Sequence, residues 1–72
     1  MRYYLWDLAG GGLLDTFATE SEALSWVRRY LEEEGPEYVE DLALDVPDAT
    51  GGRTVIAEGS KLADRARTVP AA

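Results

Sequence analysis

The spacing of hydrophobic and polar residues predicts two strands joined by a glycine-rich turn at the start of the chain. Residues 3–8 are aromatic or aliphatic apart from one aspartate, and residues 13–17 form a second, largely apolar segment. Between them lie Gly10, Gly11 and Gly12, which can adopt the positive φ angles of a tight turn at little cost. The pattern therefore predicts an antiparallel β-hairpin.

A main helix is predicted over residues 20–34, and it begins at a capping box. Thr19 and Glu22 have the spacing at which each side chain can accept a hydrogen bond from the other residue's backbone N–H. Apolar residues then recur every three or four positions, which is typical of a helix with one face packed on a sheet. These residues are Ala23, Leu24, Val27 and Leu31. Gly35 and Pro36 end the helix, since glycine favours the left-handed terminal conformation and proline cannot continue a helix.

Two further strands and a short helix are predicted in the second half of the chain. Residues 36–40 form a short turn or begin the third strand, and residues 41–46 alternate between polar and apolar side chains. Residues 54–58 form the fourth strand, and Ser60 is placed to cap a short helix over residues 61–67.

The predicted fold is α+β with the order ββαββ(α): an antiparallel-rich four-stranded sheet, a main helix at residues 20–34 and a short C-terminal helix at residues 61–67. One small domain spans residues 1–68, and residues 69–72 form a disordered tail. A chain of 72 residues buries only about 60% of its unfolded surface, so its core is marginal. Because the chain has no cysteine and no histidine, disulfides and the usual zinc sites are excluded. Self-association is then the remaining way to stabilise so small a core.

Both faces of the predicted sheet carry apolar side chains. In the first strand, Tyr3 and Leu5 face one way, whereas Tyr4, Trp6 and Leu8 face the other. A single helix of about fifteen residues can cover only one of these faces. Part of the second face therefore needs another cover, since large exposed apolar patches are unusual on soluble monomers.

The fourth predicted strand is two-sided as well. Strict alternation places Val55 and Ala57 on one face and Ile56 on the other. Although the strand order is otherwise open, the two-sided character of the first and fourth strands favours central positions for both.

Two candidates exist for the cover of the second face. The short C-terminal helix can fold back and bury Leu62 and Ala66, with Val69 as a further candidate, but it is small and rich in alanine. A homodimer or a heteromeric partner is therefore favoured, because tryptophan and tyrosine are enriched at interface cores. The alternative is that the same aromatic residues fill the core of a monomer. The candidate interface residues are Tyr3, Tyr4, Trp6, Trp26, Tyr30 and Ile56.

Catalytic chemistry is not expected. Without histidine and cysteine, the chain lacks the commonest general base and the most reactive nucleophile. Asp7 and Asp15 could approach each other across the hairpin, but a chain this small offers little wall for a deep pocket. Asp45 and Asp48 near the Thr50-Gly51-Gly52 loop lack the spacing of a calcium loop. The sequence therefore predicts no catalytic residues, no cofactor and no metal site.

Charge argues against nucleic acid as a partner. The chain has 14 acidic and 7 basic residues, which give a net charge of −7. Residues 1–48 hold 12 acidic and 3 basic groups, whereas residues 49–72 hold 2 acidic and 4 basic groups. Nucleic-acid binding depends on lysine and arginine neutralising phosphates, so this chain is better suited to a basic protein surface.

A cytoplasmic location is expected. Asp7 interrupts any apolar core of a signal peptide, and no apolar run reaches the ~18 residues of a membrane span. The absence of cysteine fits a reducing compartment.

The first 34 residues resemble those of small uncharacterised bacterial ββαβ domains and, more distantly, the N-terminal half of HicB-type antitoxins. The residues that carry the resemblance are the tyrosine-rich first strand and the Thr19-Glu20-Ser21-Glu22-Ala23-Leu24 step into the helix. Resemblance to the antitoxins implies an acidic, partial RNase-H-like fold that neutralises a small basic RNase toxin. The function predicted from the residues is a non-catalytic, self-associating protein-interaction module, and the alternative is an antitoxin-like neutraliser of a basic toxin.

Overall fold

Within residues 2–69, the part of the chain that the structure describes, three helices cover one face of a four-stranded antiparallel sheet. The structure is a computed structural model. Its strands are β1 (Tyr3–Asp7), β2 (Gly12–Phe17), β3 (Leu42–Pro47) and β4 (Arg53–Glu58). Its helices are α1 (Glu20–Glu34), α2 (Pro36–Val39) and α3 (Gly59–Arg67). The predicted α+β class and the ββαββα order are confirmed, and α2 stands where a turn or the start of a strand was predicted.

The turn between β1 and β2 explains the one aspartate in an otherwise apolar strand. Oδ1 of Asp7 accepts hydrogen bonds from the backbone N–H groups of Ala9 and Gly10, at 3.1 and 3.2 Å. Gly11 has a φ of 73° and donates its N–H to the carbonyl of Asp7. Asp7 therefore holds the turn closed, and this accounts for the hairpin that the sequence predicts.

The strand order is β2-β1-β3-β4, so β1 is central and β4 lies at an edge. The prediction that the fourth strand is central was wrong. The apolar pattern of the fourth strand suggested a central position because strict alternation was assumed, whereas the pairing of β3 with β4 contains a bulge. Leu44 pairs with Ala57, and Asp45 pairs with Val55. Ile56 is the extra residue, and Val55 and Ala57 consequently lie on opposite faces rather than on the same one.

The core lies between the sheet and the helices. Leu5 and Leu44 are partners across the central strands and are fully buried. They belong to one cluster with Val27 of α1, Val39 of α2 and Leu62 of α3, which are fully buried too. The apolar stripe predicted for α1 is confirmed, and Val39 explains how a helix as short as α2 is held in place.

The ends of the helices follow from capping residues and glycines. Oγ1 of Thr19 accepts the N–H of Glu22 at 3.1 Å, while the Glu22 carboxylate accepts the N–H of Ala18 rather than that of Thr19. Gly35 ends α1 with a φ of 104°. The prediction that Ser60 caps the last helix was wrong, because Gly59, with a φ of 58°, turns the chain from β4 directly into α3.

The predicted tail begins inside the folded part of the chain. Val69 packs against the core, and its carbonyl accepts a hydrogen bond from Nη1 of Arg28. Residues 70–72 of that tail lie outside the described residues.

Replacing Thr19 by alanine should lower the free energy of unfolding by about 1 kcal/mol, because the N–H of Glu22 loses its acceptor. Ser21→Ala is the matched control, since it removes an exposed hydroxyl from the first turn of the same helix. Urea denaturation followed by circular dichroism measures both variants. An equal loss in the two variants would contradict a capping role for Thr19.

Candidate functional site

One face of the sheet is left without a cover by the elements within residues 2–69. Leu62 and Ala66 of α3 join the same core cluster as Ala23 and Leu24 of α1, so α3 shares the helix-bearing side. The short C-terminal helix therefore does not cover the second face. Strand register assigns to this second face, here called the open face, the residues Tyr4, Trp6, Leu13, Thr16, Ala43, Asp45, Pro47, Arg53, Val55 and Glu58.

A polar cluster occupies the middle of the open face. Asp45 is only 8% exposed, and its Oδ2 accepts a hydrogen bond from the indole N–H of Trp6 at 3.0 Å. The guanidinium carbon of Arg53 lies 4.8 Å from the ring centroid of Tyr4 and 5.1 Å from that of Trp6. We call Tyr4, Trp6, Asp45 and Arg53 the Asp45 cluster.

The carboxylate of Asp45 is incompletely satisfied. Its Oδ1 is buried and has no hydrogen-bond partner among the described residues. Nη1 of Arg53 is 3.6 Å from Oδ2, a distance that counts as an ion pair but is too long for a hydrogen bond. A buried acceptor without a donor lowers the stability of the folded chain. The hydrogen bonding of the Asp45 cluster is therefore incomplete.

Exposed apolar side chains surround the cluster. Leu13 pairs with Trp6 and is 46% exposed, and Val55 pairs with Asp45 and is 55% exposed. Leu8 follows β1 and lines a shallow surface depression together with Val55 and Glu58. Aromatic and arginine side chains are enriched at protein–protein interfaces, and the open face carries both beside these exposed apolar residues.

The six predicted interface residues fall into two groups. Tyr4 and Trp6 lie on the open face, whereas the others pack against the core on the helix-bearing side: Tyr3, Trp26, Tyr30 and Ile56. Trp26 and Tyr30 stack with ring centroids 5.1 Å apart, and Phe17 lies 6.5 Å from Trp26. The structure thus does not bring the predicted set together into one surface.

Sequence reasoning missed Arg53, Leu13 and Asp45 as residues of this site. A signal was present in β3, where Ala43 and Asp45 alternate with the core leucines. That signal gains meaning only when the pairing of β3 with β1 is known, because the pairing brings Asp45 beside Tyr4.

The other acidic residues considered for catalysis or metal binding, Asp7, Asp15 and Asp48, accept hydrogen bonds from neighbouring residues of their own turns and strands. Asp7 pairs with Gly12 and Asp15 with Leu5, so the two carboxylates are not opposite each other in the hairpin. The Thr50 hydroxyl and the N–H groups of Thr50 and Gly52 hold the pKa of Asp48 below its ordinary value. Within residues 2–69, no three acidic side chains gather in a way that could hold a metal ion.

Comparison with known proteins returned no match to a family model, to a curated protein or to a solved structure. The resemblance to HicB-type antitoxins therefore stays a prediction. In the part of the chain that the structure describes, no helix has the length and apolar character needed to cross a membrane.

The aromatic residues on the helix-bearing side should behave as structural residues. Trp26→Ala should lower the free energy of unfolding by about 2 to 3 kcal/mol, because it removes the middle ring of a packed row. Arg29→Ala, an exposed change on the same helix, is the matched control. Chemical denaturation at several protein concentrations measures the effect. A Trp26→Ala protein of unchanged stability would overturn the structural assignment.

Proposed function

We propose that the chain is a non-catalytic protein-interaction module that associates with a second copy of itself through the open face. The observation that carries this proposal is the location of all described helices on one side of the sheet. The opposite side presents half-exposed apolar residues around a partly buried aromatic pair. Burial of such residues is the main favourable contribution to protein association.

The distribution of charge supports a second copy as the partner. Arg53, Asp45 and Glu58 belong to the open face, and Arg2 reaches it by donating to Oγ1 of Thr16. Two positive and two negative groups therefore balance there, while the chain as a whole carries −7. Two acidic copies repel each other least where the approaching surfaces are neutral. A two-fold interface also places the same patch on both copies, so mixed charges can complement each other.

The size of the chain favours the same conclusion. A domain of this length has a marginal core, and it contains no cysteine for a disulfide. Association stabilises the folded state by mass action when only the folded chain associates. We extend the proposal to a cytoplasmic location, because a protein without cysteine needs no oxidising compartment to form disulfides.

The alternative function, neutralisation of a small basic protein, is supported by a different surface. Residues 32–41 contain six acidic residues and no basic one. Tyr38 lies within this segment and is 52% exposed, which gives a basic partner an aromatic contact beside the negative charge. This segment includes the end of α1 and all of α2, so a basic partner could bind without occupying the open face.

Self-association is tested with Val55→Ser and Leu13→Ser. Each variant should raise the dissociation constant of the dimer by about tenfold or more, because an apolar side chain is lost from both copies. Tyr38→Ser is the matched control, since it removes an exposed ring from α2 and should leave the dimer intact. Size exclusion coupled to light scattering over a concentration series measures the mass. A wild-type protein that is monomeric at millimolar concentration would overturn the proposal.

A further inference from the structure

We propose that Tyr4, Trp6 and Asp45 form a binding site for an arginine side chain of another chain, and that Arg53 occupies this site in the absence of that chain. The inference goes beyond self-association, because the chemistry of the site selects a guanidinium group whichever chain presents it.

The site has the components that recognise a guanidinium group. The rings of Tyr4 and Trp6 are 6.5 Å apart and inclined by only 30°, so they form a nearly continuous aromatic surface. Asp45 lies beside this surface, fixed by the indole N–H of Trp6. Aromatic faces attract cations, and a planar guanidinium can stack on them while it donates two parallel hydrogen bonds to a carboxylate. The compact ammonium of lysine can do only part of this.

Arg53 uses the site incompletely. Its guanidinium lies within 5.1 Å of both ring centroids, yet its closest approach to Asp45 is 3.6 Å and involves Oδ2 alone. The other carboxylate oxygen has no partner within residues 2–69. An arginine of another chain is not anchored by the backbone of β4, and under the proposal it replaces Arg53 and donates to both carboxylate oxygens. The unused acceptor, Oδ1 of Asp45, thus offers a second arginine a hydrogen bond that Arg53 does not make.

The position of Arg53 permits this displacement. Arg53 is the first residue of the edge strand β4 and directly follows the glycine pair of the β3–β4 loop. Its side chain is 48% exposed and does not belong to the core cluster. Moving it into solvent therefore leaves the packing between sheet and helices unchanged.

The experiment follows the indole N–H of Trp6 by nuclear magnetic resonance. Acetyl-arginine amide is titrated into the wild-type protein and into Arg53→Ala and Arg53→Gln, and Trp26→Phe assigns the two indole signals. The Trp6 signal should shift on titration. If Arg53 fills the site for about nine-tenths of the time, its removal should tighten binding about tenfold. Arg67→Ala, which removes an exposed arginine of α3, should bind as the wild type does.

A neutral probe and a dilution series complete the test. Acetyl-citrulline amide has nearly the same shape without the charge and should produce no shift. In Arg53→Ala, a Trp6 signal that moves with protein concentration without the probe, but not when acetyl-arginine amide saturates the site, identifies a second copy as the source of the arginine. Association that leaves the site empty would move the signal in both cases. A signal that is independent of concentration but responds to the arginine probe identifies a different protein as the source.

Two results would overturn the inference. One is a Trp6 signal that does not respond to the arginine probe in any variant at tens of millimolar. The other is equal affinity in the wild type and in both Arg53 variants. Either result would leave self-association untouched, since light scattering on Val55→Ser and Leu13→Ser tests it separately.

Discussion

The pairing of Leu5 with Leu44 is the contact on which the rest of the structure depends. These residues face each other across β1 and β3, and both are fully buried. The two hairpins form between neighbours in sequence, but β1 and β3 are almost forty residues apart, so their pairing joins the halves of the chain at the cost of closing a long loop. Burial of two leucines against helices from both halves offsets that cost.

The same pairing creates the open face. Because side chains alternate along a strand, a register that puts Leu5 and Leu44 on the helix side puts Tyr4 beside Asp45 and Trp6 beside Ala43 on the other. The helices cannot serve both sides: Val27, Val39 and Leu62 are all needed to close one small core. Within residues 2–69, the second face is thus left uncovered because the apolar faces of all three helices are used in one core.

Local features of this fold could be predicted from the sequence, whereas features that depend on distant pairing could not. Thr19 and Gly35 start and end α1 through hydrogen bonds to residues three or four positions away. The bounds predicted for this helix are confirmed. The bulge at Ile56 depends on how β4 lies against β3, and nothing in the six residues of β4 reveals it. The Asp45 cluster draws on three strands, so alternation identified Asp45 only as a polar residue outside the core.

A partly buried carboxylate in the middle of an apolar surface requires a physical reason. An apolar residue at position 45 would avoid the cost of the unpartnered Oδ1, but it would also leave the indole N–H of Trp6 without its acceptor. It would also turn the open face into a continuous apolar sheet surface, which associates without selectivity. Asp45 and Arg53 instead require that an approaching surface present charges at matching positions, because an unmatched one leaves a charge buried and unpaired. Under the proposed function, the unpartnered oxygen of Asp45 is the cost to the single chain that accompanies selectivity in what the open face binds.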